Sequence, residues 1–382
     1  MSEYRIQGMT GEWEVVIGLE VHAQVVSNSK LFSGAATAFG AEPNTQVSLV
    51  DAAMPGMLPV INEYCVEQAV RTGLGLQAQI NETSVFDRKN YFYPDIPKAY
   101  QISQYAYPFL EGGTLLGVAL TRVHLEEDTA NSKHDRGAFT LVDYNRAGVP
   151  LMELVTEPVI HSAEQAVAFA KALQEILRYV GASEANMEMG QMRIEANISV
   201  SKNDTLGTKV EVKNINSFRA AGKAIDFEFE RQVALLEKGE SVIQETRGWD
   251  ENKEVTFSQR LKESANDYRY FPDPDLPKLK ISEIPEFAKE VLLASMPELP
   301  WEKRARLVEL LRTMTPEQYQ QEYECSFEAA VIGAYYGRHM AAAEAEKDGG
   351  DIGKEAVKLY NEVSNPVEAA TKLRGFLFFN YL

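Results

Sequence analysis

Cysteine is nearly missing from this sequence: Cys65 and Cys325 are the only two in 382 residues. Two thiols exclude a disulfide framework and a four-thiolate zinc site, and they fit a reducing, cytoplasmic setting. No run approaches the roughly 18 apolar residues of a membrane span, and the opening MSEYRIQGMTGEWEVV lacks the uninterrupted apolar core of a secretory signal. A soluble protein with no membrane role is expected. Basic residues are few beside acidic ones, 38 against 56, giving a net charge of −18. Such a surface repels phosphate as a whole, so a nucleic-acid partner would need a local basic groove or a second chain. Neither G-x-x-x-x-G-K-[ST] nor G-x-G-x-x-G occurs, which places any bound nucleotide outside the P-loop and Rossmann schemes. There is no nucleophile elbow, and neither cysteine has a histidine nearby in sequence. Covalent nucleophilic catalysis is therefore not suggested.

By length the chain suggests two or three domains, and its β-rich runs interrupted by helical stretches read as α+β. From Glu12 to about Lys280, β-rich runs recur at 14–26, 139–145, 192–201 and 208–215, interrupted by two helical stretches. This predicts antiparallel sheet. Ser162 with Gln165 forms a capping box, Val167, Ala170, Leu173, Leu177 and Val180 recur at helical spacing, and Gly181 supplies the stop. A second helix is expected from about Ser217 to Lys238, closed by Gly239. The three prolines of DYRYFPDPDLPKL (267–279) must be extended or turned, and from Pro285 the texture shifts to helix formers. We therefore divide the chain into a domain over 1–284 and a mainly helical one over 285–382. The apolar end RGFLFFNYL (374–382) is expected to be buried on its own domain or on another chain.

Three carboxylate clusters carry possible chemistry. In VIGLEVHAQ (16–24), Glu20 and His22 are two apart on a strand and project from one face, a plausible half of a divalent-metal site. The same alternation describes an ordinary wet strand face, which by itself has the better claim. In RVHLEEDTANSKH (122–134), Glu126, Glu127 and Asp128 form an acidic run directly after a predicted strand, and such runs are usually solvated. In VDYNRAGVPLMELVTEP (142–158), Glu153 lies inside apolar LMELV. A carboxylate there needs a partner, which makes Glu153 the strongest single candidate for a metal or catalytic role. Oxygen ligands with one imidazole suit Mg²⁺ or Mn²⁺ better than zinc. A phosphate-handling set is also visible. Arg88, Lys89 and Lys98 are interleaved with Tyr91, Phe92 and Tyr93, while Lys213 and Asn214 stand just before the helix that Ser217 caps. Ordinary core and rim packing is the plain alternative for these residues.

Ten blocks in order, VIGLEVHAQVVSNSKLFS, FGAEPNT, MPGMLPVIN, FDRKNYFYPDIPKAYQISQ, VHLEEDTA, VDYNRAGVPLMELVTEP, MRIEANISV, GTKVEVKNINSF, QETR and DYRYFPDPDLP, closely resemble the B subunits of aspartyl/glutamyl-tRNA(Asn/Gln) amidotransferases over about 14–300. The resemblance implies a glutamine-synthetase-like α+β cradle followed by a helical domain, in a heterotrimer with an amidase A subunit and a small C subunit. It implies Mg-ATP phosphorylation of the side-chain carboxylate of Glu-tRNA(Gln) or Asp-tRNA(Asn). Ammonia, released from glutamine by the amidase and delivered through a tunnel, would then displace phosphate. Carried over by position, the metal ligands are Glu20, His22, Glu127 and Glu153. Glu127, Glu153 and Lys89 take catalytic roles, and Lys98, Arg193, Lys213 and Asn214 lie near the ATP and the tunnel.

The sequence departs from the family pattern in several places. Where many relatives carry zinc-binding cysteines it has Ser33, Ala35, Ser48 and Asp51, so no zinc is expected. The segment before HLEED is short, and Ser201 and Met189 replace a usual arginine and glutamate. Beyond about residue 300 the likeness weakens and the tRNA-holding tail domain is not recognisable. A ligase acting on a free small molecule, or an inactive scaffold within such a complex, are the alternatives. Retention of Glu20, His22, Glu127 and Glu153 argues against the scaffold.

Overall fold

The computed structural model describes residues 5–133, 137–203, 205–261, 268–299, 302, 313 and 315–323. The chain separates into two compact units, Met1–Ser295 and Met296–Leu382. The first is built on an eleven-stranded sheet. Its main elements are β1 (Gly11–Gln24), α1 (Glu63–Gly75), β2 (Asp87–Asn90), β3 (Tyr100–Ser103), β4 (Val118–Glu127), β5 (Pro150–Thr156), α2 (Ala163–Tyr179), β6 (Met192–Ser201), β7 (Val210–Ile215), α3 (Phe218–Glu237), β8 (Glu245–Asp250), β9 (Val255–Leu261) and α4 (Lys289–Ser295). In the large sheet the order is β9-β8-β7-β6-β1-β5-β4. Among these neighbours β7 and β8 run parallel and the others antiparallel. β2 and β3 form a separate small sheet with Phe271–Pro272. This is a mixed α+β architecture.

Alternation along the central strands divides the large sheet into two unlike faces. Leu19, Val21 and Ala23 of β1, Val123 and Leu125 of β4, Met152 and Leu154 of β5, and Ile194 and Ala196 of β6 are buried on one of them. Thr72 of α1 and Leu173 and Leu177 of α2 share an apolar pocket with Val21, Ala23, Val123, Met152 and Leu154. On α3, Gln232 donates from Nε2 to the Ile198 carbonyl of β6. Helices thus cover the apolar face, which leaves the polar face of the same strands for chemistry.

Local signals placed α2 and α3 well. Ser162 Oγ accepts from the Gln165 N–H, and Ser217 Oγ accepts from the Ala220 N–H. Gly181 and Gly239 follow in left-handed conformations, φ +76° and +77°. The expectation of only two helices in this region needs correction, because α1 is a third. It is capped by Asn62, whose Oδ1 accepts from the Tyr64 N–H. Gly73 and Gly75 weaken its helical signal in sequence. The structure explains Gly73, where a Cβ would lie 2.4 Å from Leu110 Cδ2. The strand expected over 139–145 is shorter, Leu141–Asp143, paired with Asn131–Lys133.

A buried polar knot ties the loops after β1. Lys30 is wholly buried, and its Nζ donates to Asp51 Oδ2 at 3.0 Å and to the Tyr144 carbonyl at 3.3 Å. Ser33 Oγ and the Ser48 N–H donate to the same carboxylate at 2.9 and 2.8 Å. Gly148, at φ +84°, closes over it, and a Cβ there would stand 3.1 Å from Asp51 Oδ1. Ser33, Ser48 and Asp51 are three of the positions where the family resemblance leads one to look for zinc ligands.

In the second unit, Pro316–Tyr323 is helical (α5), and Thr315 and Gln318 exchange hydrogen bonds at its start. Most of the segment 300–314 and the terminal 374–382 lie outside the described residues.

Candidate active site

One register row crosses the polar face. Glu153 of β5 stands opposite His124 of β4 on one side and His22 of β1 on the other, and His22 stands opposite Arg193 of β6. Two residues along, on the same face, are Glu126 of β4, Glu20 of β1 and Glu195 of β6. These side chains line a cleft of about 740 Å³ together with Lys89, Arg122, Arg146, Glu211, Lys213 and several tyrosines.

Two groups of ligand-type atoms converge there. His22, Glu126 and Glu153 form one group, and Glu20, Glu195 and Glu211 form the other, each with atoms within 4.8 Å of one another. In the first, His22 Nε2 lies 3.4 Å from a Glu153 oxygen and 3.6 Å from Glu126, while His124 Nε2 lies 3.5 and 3.8 Å from the same two carboxylates. These separations are long for hydrogen bonds. They suit donor atoms arranged around a small cation, and the buried Nδ1 atoms of both histidines have no hydrogen-bond partner among the described residues. Hard oxygens with imidazole fit Mg²⁺ or Mn²⁺. In the second group, Asn197 donates to Glu20 at 2.8 Å and Thr246 to Glu211 at 2.7 Å, and Lys213 Nζ is 2.7 Å from Glu195.

The electrostatics follow from burial of charges close together. Burial opposes ionisation of Glu153, yet His124 and His22 hold its carboxyl well below the usual range. Burial also opposes the charged form of His22, but Glu153, Glu195 and Glu126 outweigh it and raise the imidazole to about 9. Glu20 is pushed up, first by burial and then by Glu153, Glu195 and Glu211. Burial works against the Lys89 ammonium, which Glu126, Tyr270 and Glu153 nevertheless hold well above its ordinary value.

Of the residues picked out in sequence, the structure brings His22 and Glu153 together, with Glu20 in the adjoining acidic group. Glu127 does not join them, which corrects the expectation of a single four-residue cluster. Neighbouring residues of a strand face opposite sides, so with Glu126 in the cleft Glu127 turns away. Its carboxylate is taken by Lys98 Nζ at 2.6 Å and by the Ile102 N–H at 3.0 Å. Lys98 is thereby committed to Glu127 and does not line the large cleft. Asn214 is also outside it: β7 carries one extra residue between the pairs Ile194–Ile215 and Ala196–Val212, and Asn214 is exposed at this bulge with φ +62°. Lys89, Arg193 and Lys213 do line the cleft. Arg193 grips buried Asp128 with both terminal nitrogens, at 3.1 and 2.9 Å.

Nor is the acidic run 126–128 solvated. All three residues are buried, because β4 continues through Glu127. Sequence reasoning missed His124, Glu126, Glu195 and Glu211 as site residues. The available signal was His124-x-Glu126, the same two-residue spacing that singled out Glu20 and His22.

A family model described as "GatB/GatE catalytic domain" matches residues 15–285, the stretch that builds the sheet and the cleft. The chain belongs to this family. It is 55% identical over 314 residues to a protein of Bradyrhizobium diazoefficiens named as the B subunit of aspartyl/glutamyl-tRNA(Asn/Gln) amidotransferase, covering 79% of this chain and 63% of that protein. A protein of the same name from Nitrobacter hamburgensis is 56% identical over the same length, with the same coverage. One from Rickettsia rickettsii is 53% identical over 341 residues, 86% of this chain and 68% of that protein. The chain thus spans a little under two thirds of the first two relatives. No helix among the described residues is long and apolar enough to cross a membrane.

Proposed function

We propose that this chain is the carboxylate-activating component of a cytoplasmic, glutamine-dependent aminoacyl-tRNA amidotransferase. Its substrate is the side-chain carboxylate of Glu-tRNA(Gln), Asp-tRNA(Asn) or both. An oxygen of that carboxylate attacks the γ-phosphorus of ATP and ADP leaves. Ammonia then adds to the acyl carbon, gives up a proton and expels phosphate, leaving the amide. An amidase A subunit supplies the ammonia and a small C subunit completes the assembly. The large sheet is read as a glutamine-synthetase-like cradle, with residues 1–284 as the catalytic domain and 285–382 as a helical one.

The observation that carries this reading is the convergence of His22, Glu126 and Glu153, with His124 behind them, on the floor of a cleft in a family-matched domain. These residues fit Mg²⁺ or Mn²⁺, which when bound would neutralise triphosphate charge and align its transfer. Glu20, Glu195 and Glu211 offer a second oxygen-rich place beside it. Arg193, held by Asp128, and Lys89, close to Glu126 and Glu153, present fixed positive charge to anionic substrates. Glu127 and Lys98 act next to this floor rather than on it, and Asn214 contributes through the bulge that sets Lys213. The test is co-expression with candidate amidase and small subunits, followed by amidation of both misacylated tRNAs with ATP and glutamine. Amidation of neither tRNA removes the proposal.

A further inference from the structure

The ionic floor accounts for carboxylate and phosphate chemistry, but it leaves one flank of the cleft without a use. Tyr91, Tyr105, Tyr268 and Tyr270 all line that cleft. Tyr105 and Tyr270 are stacked nearly parallel, centroids 4.6 Å apart and planes 12° apart. Tyr268 meets Tyr270 edge-on at 6.1 Å and Tyr91 edge-on at 5.8 Å, and Lys89 Nζ stands 5.1 Å from the Tyr268 ring centre. The rings therefore brace one another.

Tyr105 is the outermost member, 51% exposed. Its backbone N–H is pinned to the buried Asp87 carboxylate at 2.9 Å, so the residue is fixed although its side chain is half open. Tyr270 covers one face of the ring. A large aromatic side chain held in place, backed by a second ring and left open beside an ionic cleft has the form of a stacking platform rather than of core packing.

We propose that Tyr105, backed by Tyr270, is the platform on which an adenine base stacks. The inference rests on the function proposed above, which brings two adenines to this cleft, that of ATP and that of the 3′-terminal nucleoside of tRNA. Either base is attached to a phosphate-bearing chain whose reacting end belongs at the ionic floor, and a π-face asks only for a flat partner.

The experiment uses the assembled complex carrying wild-type chain, Tyr105→Phe or Tyr105→Ala. Two matched probe pairs are titrated: Mg-ATP against Mg-tripolyphosphate, and an acceptor minihelix ending in adenosine against the same minihelix with an abasic 3′ terminus. Tyr105→Ala should weaken one base-bearing probe by about 5- to 100-fold and leave its base-free counterpart unchanged, with Tyr105→Phe close to wild type. Loss confined to Mg-ATP assigns the platform to the nucleotide, and loss confined to the minihelix assigns it to tRNA. Equal weakening of base-bearing and base-free probes, or no weakening of either pair, overturns the proposal. A wild-type complex that binds neither Mg-ATP nor the minihelix instead removes the function on which the proposal rests.

Discussion

His22 and Glu153 face each other across the ladder between β1 and β5, with imidazole Nε2 3.4 Å from a carboxylate oxygen, although they are far apart in sequence. Glu153→Gln keeps the shape of the side chain and removes the charge that both histidines face. We expect it to abolish Mn²⁺ binding, followed by electron paramagnetic resonance titration, while the partner amidase still hydrolyses glutamine. Unchanged Mn²⁺ affinity would take Glu153 out of the cation site.

Glu126 and Glu127 are adjacent in sequence but separate in space, and their variants should differ accordingly. Glu126→Gln should lose Mn²⁺ binding, whereas Glu127→Gln should retain it, because its carboxylate is bound to Lys98 and to the Ile102 N–H. The same titration decides. Loss in Glu127→Gln alone would mean that the strand presents its other face to the cation, and loss in both would mean that Glu127 is needed there as well.

Lys30 and Asp51 form a buried pair, so removing one partner strands the other's charge. Asp51→Ala should cost about 3–5 kcal/mol of unfolding free energy. The double change Lys30→Met with Asp51→Ala should cost less than the single one, read from urea midpoints. A double variant less stable than Asp51→Ala would show that Lys30 is not stranded without Asp51 but still stabilises the loops, through the Tyr144 carbonyl.

Asp128 gives the structure a recognisable acid limit. Burial opposes its ionised form, but Arg193 and Arg146 outweigh that and hold its carboxyl below the ordinary value, about 3.9 for aspartate. A carboxyl depressed in the folded state contributes stability that is present above the unfolded pKa and is lost as pH falls through the folded one. Asp128→Asn should therefore be less stable at neutral pH, by about 1–3 kcal/mol, and should lose less on acidification than wild type. Parallel acid limbs in urea unfolding would contradict this.

Much of this molecule was legible where the signal is local. Ser162 with Gln165 and Ser217 mark helix starts because a cap is satisfied within one turn, and MRIEANISVS is a strand by its own alternation. Glu20 and His22 were legible for the same reason, being two apart on one strand. Register between strands is a different kind of information, since it depends on which chain segments meet. Nothing in RVHLEED alone says which face of β4 looks into the cleft, and that choice decides whether Glu126 or Glu127 enters it. Glu195 and Glu211 become relevant only once β6 lies beside β1 and β7 beside β6. Helix α1 was obscured by Gly73, whose reason is the distant Leu110 rather than any neighbour in sequence.

The alternation that parts Glu126 from Glu127 also fixes where this chain tolerates changes of length. A single residue inserted or deleted within β4, ahead of His124, would send His124 and Glu126 into the helix-covered layer and turn Leu125 and Glu127 toward the cleft. One event would lose the ligands and bury charge. The hairpin between Asn131 and Asp143 lies outside this frame, because β4 and β5 are aligned by their own ladder. Length variation among natural or engineered forms should therefore collect in that hairpin and be absent from the strands on either side.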